Sequence, residues 1–289
     1  MALQDNLDQA ILQEGADITA ALTFIVPQDE KPYFESAALT GTVPKVHFQT
    51  HDVAVPIKDA RRLKGGLSVD REGFELLTAP TSVRDLYDDD QVSNVYEAEL
   101  EALLKERFGA DRVVVFDYTR RSDSDKGAAN PDGLRGPASR VHVDYTELSG
   151  PQRARDTIGA AEVERVLKSG GRIMQVNVWR PIKGPVQSSP LAVADASTVD
   201  AGVNLVATDQ RFPDRVGEIY QIAHSETLQW YWVSEMEAEE VLLLKGWDSL
   251  DDGRARFTPH GAFIHPDQTA ATPARESIEA RTYLIFEGE

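Results

Sequence analysis

The tripeptide His142-Val143-Asp144 holds the two residue types of this chain best placed to do chemistry together. On a strand, residues two apart project to the same face. An imidazole and a carboxylate would then stand side by side, two corners of the 2-His-1-carboxylate arrangement that suits non-haem Fe(II) and leaves positions open for substrate and oxygen. The third ligand must come from a distant strand. The six histidines are at 47, 51, 142, 224, 260 and 265. His47 and His51 precede the strand-rich part of the chain, and His265, next to Pro266, reads as a loop end. His224 and His260 remain as candidates. Further on, Arg275-Glu276-Ser277 places a guanidinium and a hydroxyl on one face, and an arginine fork donates two parallel bonds to a carboxylate. Taken singly, such pairs are common on strands that bind nothing. Their order along the chain is what joins them.

Other chemistries find little support. The chain has 289 residues and no cysteine, which excludes disulfides, thiolate metal sites, iron–sulfur clusters and a cysteine nucleophile. No G-x-S-x-G elbow, dinucleotide fingerprint or P-loop is present. Lys64-Gly65-Gly66-Leu67 and Lys168-Ser169-Gly170-Gly171 read as turns, and the acid pairs Glu239-Glu240 and Asp251-Asp252 read as solvated loops. With 30 basic and 48 acidic side chains the net charge is −18, a poor match to nucleic acid or anionic lipid. The opening MALQDNLDQAILQEG lacks the basic and apolar regions of a signal peptide. No apolar run approaches the roughly 20 residues that cross a bilayer. These features point to a cytoplasmic protein without a nucleic-acid or membrane partner; the expected assembly is a monomer or homodimer.

The elements that must position the chemistry are mostly strands. Short β-branched or alternating runs occur at 112–116, 140–145, 172–179, 191–194, 218–222, 228–233, 241–244 and 278–286. One long helix is predicted over about 90–108, with Val92, Val95, Tyr96, Leu100, Leu103, Leu104 and Phe108 as its apolar stripe. Acids at its start suit the helix dipole, and Gly109 reads as its C-cap. A shorter helix is expected over 160–168. Too few helices separate the strands for a parallel α/β sheet. The expected fold is mainly β, a jelly-roll sandwich or barrel. Residues 1–110 read as an irregular N-terminal extension packed on a core of residues 111–289, one structural domain overall. Tyr118, Tyr145, Trp179, Trp230 and Trp232 are candidates to line an apolar substrate pocket.

The order HxD, distal His, RxS resembles that of the Fe(II)/2-oxoglutarate-dependent dioxygenases. More narrowly, the chain resembles the family of gibberellin desaturase-like, AsaB-like and CmcJ-like hydroxylases and desaturases. The resemblance runs over residues 110–287 through Asn177-Val178-Trp179-Arg180-Pro181, Pro190-Leu191-Ala192-Val193-Ala194-Asp195, Trp230-Tyr231-Trp232, Glu240-Val241-Leu242-Leu243-Leu244-Lys245, Pro259-His260-Gly261-Ala262-Phe263 and Ala274-Arg275-Glu276-Ser277. It implies a double-stranded β-helix that holds Fe(II) through His142, Asp144 and His260. It also implies that Arg275, with Ser277, binds the distal carboxylate of 2-oxoglutarate, and that Arg180 stands near cosubstrate or substrate. His224 stays as the rival third ligand, and Arg281 as the rival anchor. The activity implied is hydroxylation or desaturation of a specialised metabolite with O2. A cupin-like metal enzyme without 2-oxoglutarate and a non-catalytic partner subunit are the alternatives.

Overall fold

The computed structural model describes residues 17–288 apart from 42, 64–65, 126 and 131–132. The N-terminal MALQDNLDQAILQEG stretch and the Lys64-Gly65 turn lie outside the described residues. Two sheets face each other. The smaller has five antiparallel strands in the order Phe74–Thr78, Glu240–Asp248, Arg172–Pro181, Glu276–Phe286, Arg112–Ser122. The larger has ten, among them Leu191–Ala194, His260–Ala262, His142–Val143 and Val216–Ile222 as consecutive neighbours.

The five-stranded sheet is apolar on both faces because both are covered. On its outer face Met174, Val176, Val178, Val241, Leu243, Ile278 and Ala280 pack against Tyr96, Leu100 and Leu104. On its inner face Trp179, Leu242 and Leu244 meet Val193 and Tyr231 of the larger sheet. A continuous apolar run such as Val241-Leu242-Leu243-Leu244 is what such double coverage demands. The long helix forms where its stripe predicts. Asp88 caps it by accepting from the Asp90 and Gln91 amides, and Gly109 closes it at φ 68° with its N–H on Lys105 O. Residues Val92–Tyr96 form a π-helical turn before the α-helix Glu97–Phe108. Val95 lies off the stripe and is exposed. Each buried leucine of the stripe contributes about 1.5–3 kcal/mol.

Two stretches depart from the sequence reading. Residues read as irregular supply the strands Ile18–Ile25, Thr50–Asp59 and Phe74–Thr78, which join both sheets. Their turn-forming Pro and Gly neighbours masked the alternation. A helix at Ser149–Ile158 precedes the expected Ala160–Lys168 helix. It carries few apolar residues of its own, but Gly150 packs on the Trp247 indole, where a Cβ would collide with the ring. Tertiary contact, not propensity, holds it there.

Strand parity also relocates Arg180. On the Arg172–Pro181 strand the even-numbered residues face the long helix, so Arg180 points away from the sheet-to-sheet interior. Its guanidinium is 2% exposed and donates to Tyr96 Oη at 3.0 Å, Ala238 O at 2.6 Å and Ala79 O. It ties the helix and two loops to the sheet and lines neither of the two cavities beside the candidate iron ligands. Arg180→Leu strands two part-buried carbonyls. It is expected to lower unfolding free energy by about 2–4 kcal/mol in denaturant melts, while leaving Fe(II) affinity unchanged.

Candidate active site

His142 and His260 are direct cross-strand partners on neighbouring antiparallel strands. Their ring centroids are 4.6 Å apart. Each Nδ1 meets the carbonyl two residues before it, Arg140 O at 2.8 Å and Thr258 O at 2.9 Å. A carbonyl only accepts, so each Nδ1 carries the proton and each Nε2 keeps a free lone pair. A metal-ligating histidine is oriented in this way. Asp144 lies just past the His142–Val143 strand, with Oδ1 3.5 Å from His142 Nε2. One ligand atom from each of His142, Asp144 and His260 lies within 4.8 Å of the others.

The electrostatics suit a cation. Burial by itself opposes ionisation of Asp144, but the Arg281 guanidinium overrides it and holds its carboxyl well below the usual range. Burial and the neighbouring His142 push His260 down, so its imidazole stays neutral. Two neutral imidazoles and one carboxylate are the donor set that Fe(II) takes in this arrangement.

His224, the rival ligand, is not part of the cluster. Its ring packs edge-on against Phe24 at 5.1 Å, two residues past the end of the Val216–Ile222 strand. The two candidate arginines differ as sharply. Arg281 donates to Asp144 Oδ2, Asp117 Oδ2 and Thr119 Oγ1, and pairs with Glu279 at 2.7 Å. It is fully engaged. Arg275 is 3% exposed. Its Nη1 donates to Ser189 O at 2.6 Å, while its Nε has no partner among the described residues. Burial first, then the nearby Arg121, pushes this guanidinium down to about 10, still protonated near neutrality. Ser277, 1% exposed, shares the inward face of its strand with Glu279 and Arg281.

Arg275, His142, His260, Trp179, Arg121 and Glu279 all line one narrow chamber of about 20 Å³. A cavity of about 580 Å³ adjoins it across the shared Ala262, walled by Leu134, Phe263, Ile264 and several hydroxyl and acidic side chains. Of the five aromatic residues proposed for a pocket, Trp179 alone lines either space. Tyr118, Tyr145, Trp230 and Trp232 pack in apolar clusters elsewhere. Sequence reasoning missed Arg121, Asn177 and Glu279. The signal was their position: Glu279 is two from Ser277 and Arg281, Asn177 is two from Trp179, and Arg121 pairs with Ser277 across the sheet.

Two facing sheets with a two-histidine, one-carboxylate cluster between them define the double-stranded β-helix class of non-haem iron oxygenases. The comparisons agree. A family model described as "Oxidoreductase/YMDC permease-like domain" matches residues 22–286. The hydroxylase/desaturase efuI of Hormonema carpetanum is 32% identical over 86% of this chain and 89% of its own length. The Fe(II)/2-oxoglutarate-dependent dioxygenase nvfI of Aspergillus novofumigatus is 32% identical over 89% and 88%. The solved structure of the iron and alpha-ketoglutarate-dependent endoperoxidase NvfI superposes with a TM-score of 0.81 at 27% identity, covering 94% of this chain and 99% of that one. The chain belongs to this family of Fe(II)/2-oxoglutarate-dependent oxygenases. Its cofactor and cosubstrates are Fe(II), 2-oxoglutarate and O2. Membership decides against both alternatives, the cupin-like enzyme without 2-oxoglutarate and the non-catalytic partner subunit. Among the described residues no helix is long and apolar enough to cross a membrane.

The two histidine candidates separate in one experiment. His260→Ala is expected to abolish Fe(II) binding measured by anaerobic titration, and His224→Ala to leave it unchanged. The reverse result would move the third ligand to His224.

Proposed function

We propose that His142, Asp144 and His260 hold Fe(II), and that Arg275 anchors the distal carboxylate of 2-oxoglutarate beside Ser277. The bound group couples decarboxylation of the keto acid and reduction of O2 to removal of a hydrogen from substrate, ending in hydroxylation or desaturation. The observation that carries this reading is the Arg275 guanidinium. It is buried, charged, short of one hydrogen-bond acceptor, and opens on the same chamber as both histidines. A buried cation with an unfilled donor site is costly unless an anion completes it.

The chain's own groups have distinct tasks. His142 and His260 present unprotonated Nε2 atoms, fixed by their backbone bonds. Trp179 lies beside the Arg275 guanidinium, 5.7 Å from ring centroid to Cζ, and keeps water from that side. The chamber is smaller than a five-carbon dicarboxylate, so cosubstrate binding requires the side chains that cap it to move. Arg121 is one of them; among the described residues its guanidinium is held by a bond to Gly136 O at 3.0 Å.

The adjoining cavity of about 580 Å³ is of a size for one small molecule. Its wall is apolar at Leu134, Phe263 and Ile264 and hydroxyl-bearing at Thr23, Ser122, Ser139 and Ser189. Asp52, Asp123 and Asp125 line it as well, so the wall disfavours an anion and favours a neutral or basic, partly oxygenated metabolite, in keeping with relatives named as hydroxylase/desaturase and as an aspirochlorine biosynthesis protein. The enzyme works on it in the cytoplasm as a monomer or homodimer, with the N-terminal 110 residues and the 111–289 core acting as one unit.

The test is an anaerobic titration with Fe(II) and then 2-oxoglutarate, watching for the weak visible charge-transfer band of the chelated keto acid. The wild type is expected to show it. Arg275→Ala is expected to weaken 2-oxoglutarate binding by ~100-fold, the loss of a charge-assisted bidentate contact, with Fe(II) binding retained. An unchanged cosubstrate affinity would move the anchor to Arg121 or Arg281.

A further inference from the structure

Asp144 has two oxygens, and the structure treats them differently. Oδ1 faces His142 Nε2. Oδ2 accepts from Asn177 Nδ2 at 2.9 Å and from Arg281 Nε at 3.0 Å. Asn177 is 1% exposed, and its orientation is forced. An ionised carboxylate only accepts, so the amide nitrogen must face Asp144 and the amide oxygen must face away. There Gln175 Nε2 donates to Asn177 Oδ1 at 2.6 Å. Direction therefore runs one way along the row, from Gln175 through Asn177 to Asp144.

The sheet makes room for this row. Gln175 and Asn177 stand two apart on the inward face of the Arg172–Pro181 strand. Across from them the ladder slips: Gln175 pairs with Trp247 and Val176 with Lys245, which leaves Gly246 as the extra residue of a bulge. A Cβ at Gly246 would land on Gln175 Oε1. The glycine is thus what lets a buried glutamine side chain lie against the partner strand. Neither amide lines the chamber, so any effect they have on chemistry passes through Asp144.

We propose that the Gln175–Asn177 row, together with Arg281, restricts Asp144 to a single-oxygen bond to iron. This rests on the assignment of His142, Asp144 and His260 as the iron ligands. The chemical reason is a count of positions. Three protein donors leave three on an octahedral ion, two for the keto acid and one for O2. A carboxylate that swung to chelate through both oxygens would take one of them. With Oδ2 filled by two donors, only Oδ1 has lone pairs to give. Arg281 alone does not secure this, because it is shared among Asp117, Thr119 and Glu279 as well. Asn177 is the second donor on the same oxygen, and with both bonds made the carboxylate cannot rotate without breaking one. Asn177 and Gln175 are positioning residues.

The experiment compares Asn177→Leu, which keeps the volume and deletes the donor, with wild type in the anaerobic titration. Two constants and one spectrum are read: the Fe(II) dissociation constant, the 2-oxoglutarate dissociation constant of the Fe(II) protein, and the charge-transfer band. The expected result is Fe(II) binding within about threefold of wild type, 2-oxoglutarate binding at least tenfold weaker, and a displaced band, the scale on which partners of metal ligands act. Gln175→Met, which leaves Asn177 in place but unsteered, is expected to move the same readouts less, and it decides the matter if Asn177→Leu does not fold. Wild-type 2-oxoglutarate affinity with an unchanged band overturns the proposal. So does a variant that loses Fe(II) affinity tenfold yet binds the keto acid normally once loaded, since the row would then merely hold the ligand in place. If the wild type itself gives no band, the ligand assignment fails and this inference with it. A wild-type band with unaltered variants sinks the inference alone.

Discussion

A carboxylate buried between two sheets is the constraint on which the rest of the structure depends. Asp144 is ionised in a place that disfavours charge. It stays so because Arg281 lies against it. Removing one member of such a cluster leaves an unpaired buried charge, which is far costlier than never having had the pair. The surroundings follow from that. Arg281 needs further acceptors, and Asp117, Thr119 and Glu279 supply them. Asp144 needs its second oxygen satisfied, and Asn177 does so. The interior is therefore a connected polar network set in a frame of apolar clusters, in which each donor is fixed by the next acceptor.

The frame that carries this network is the five-stranded sheet, and its pleat divides two jobs. On the central Arg172–Pro181 and Glu276–Phe286 strands the even-numbered residues Val176, Val178, Ile278 and Ala280 anchor the long helix. The odd-numbered Gln175, Asn177, Trp179, Glu279 and Arg281 face the site. Arg180 belongs to the first set, and its guanidinium serves the helix layer. Two irregularities adjust this pattern locally. One is the bulge at Gly246, which admits Gln175. The other is a register shift between Arg281 and Thr282, where the inward face passes from the polar site to the cluster around Tyr283 and Ile285.

The two arginines of the final strand show how context assigns a role to identical chemistry. Arg275 and Arg281 are both buried and both near the cluster. Arg281 faces three acids, Asp117, Asp144 and Glu279, and its guanidinium is held well above its ordinary range. Arg275 faces a backbone carbonyl, a tryptophan ring and another arginine, and burial pulls it down. A group already neutralised by the protein has little to offer an anion. A group left short of a partner does.

Much of the chemistry was legible in the sequence. HxD on a strand, a later histidine and a later RxS name the residue types and their order, because strand periodicity puts alternate residues on one face. The long helix was legible too, since Asp88, the apolar stripe and Gly109 are local signals. Distance along the chain hid the rest. The His260 strand and the strand just before His224 flank His142 on either side, and register decides between them: His260 lies directly opposite His142, while Gln221 takes that place on the other side. Arg180 looked like a site residue because its motif is adjacent to one, but the side of the pleat it occupies follows from register, which a one-residue shift would reverse. The N-terminal strands and the Ser149–Ile158 helix are stabilised by partners hundreds of atoms away, so their own residues carry a weak signal. Composition and order determined the ion and the fold class. Pairing, parity and burial decided which side chains stand around it.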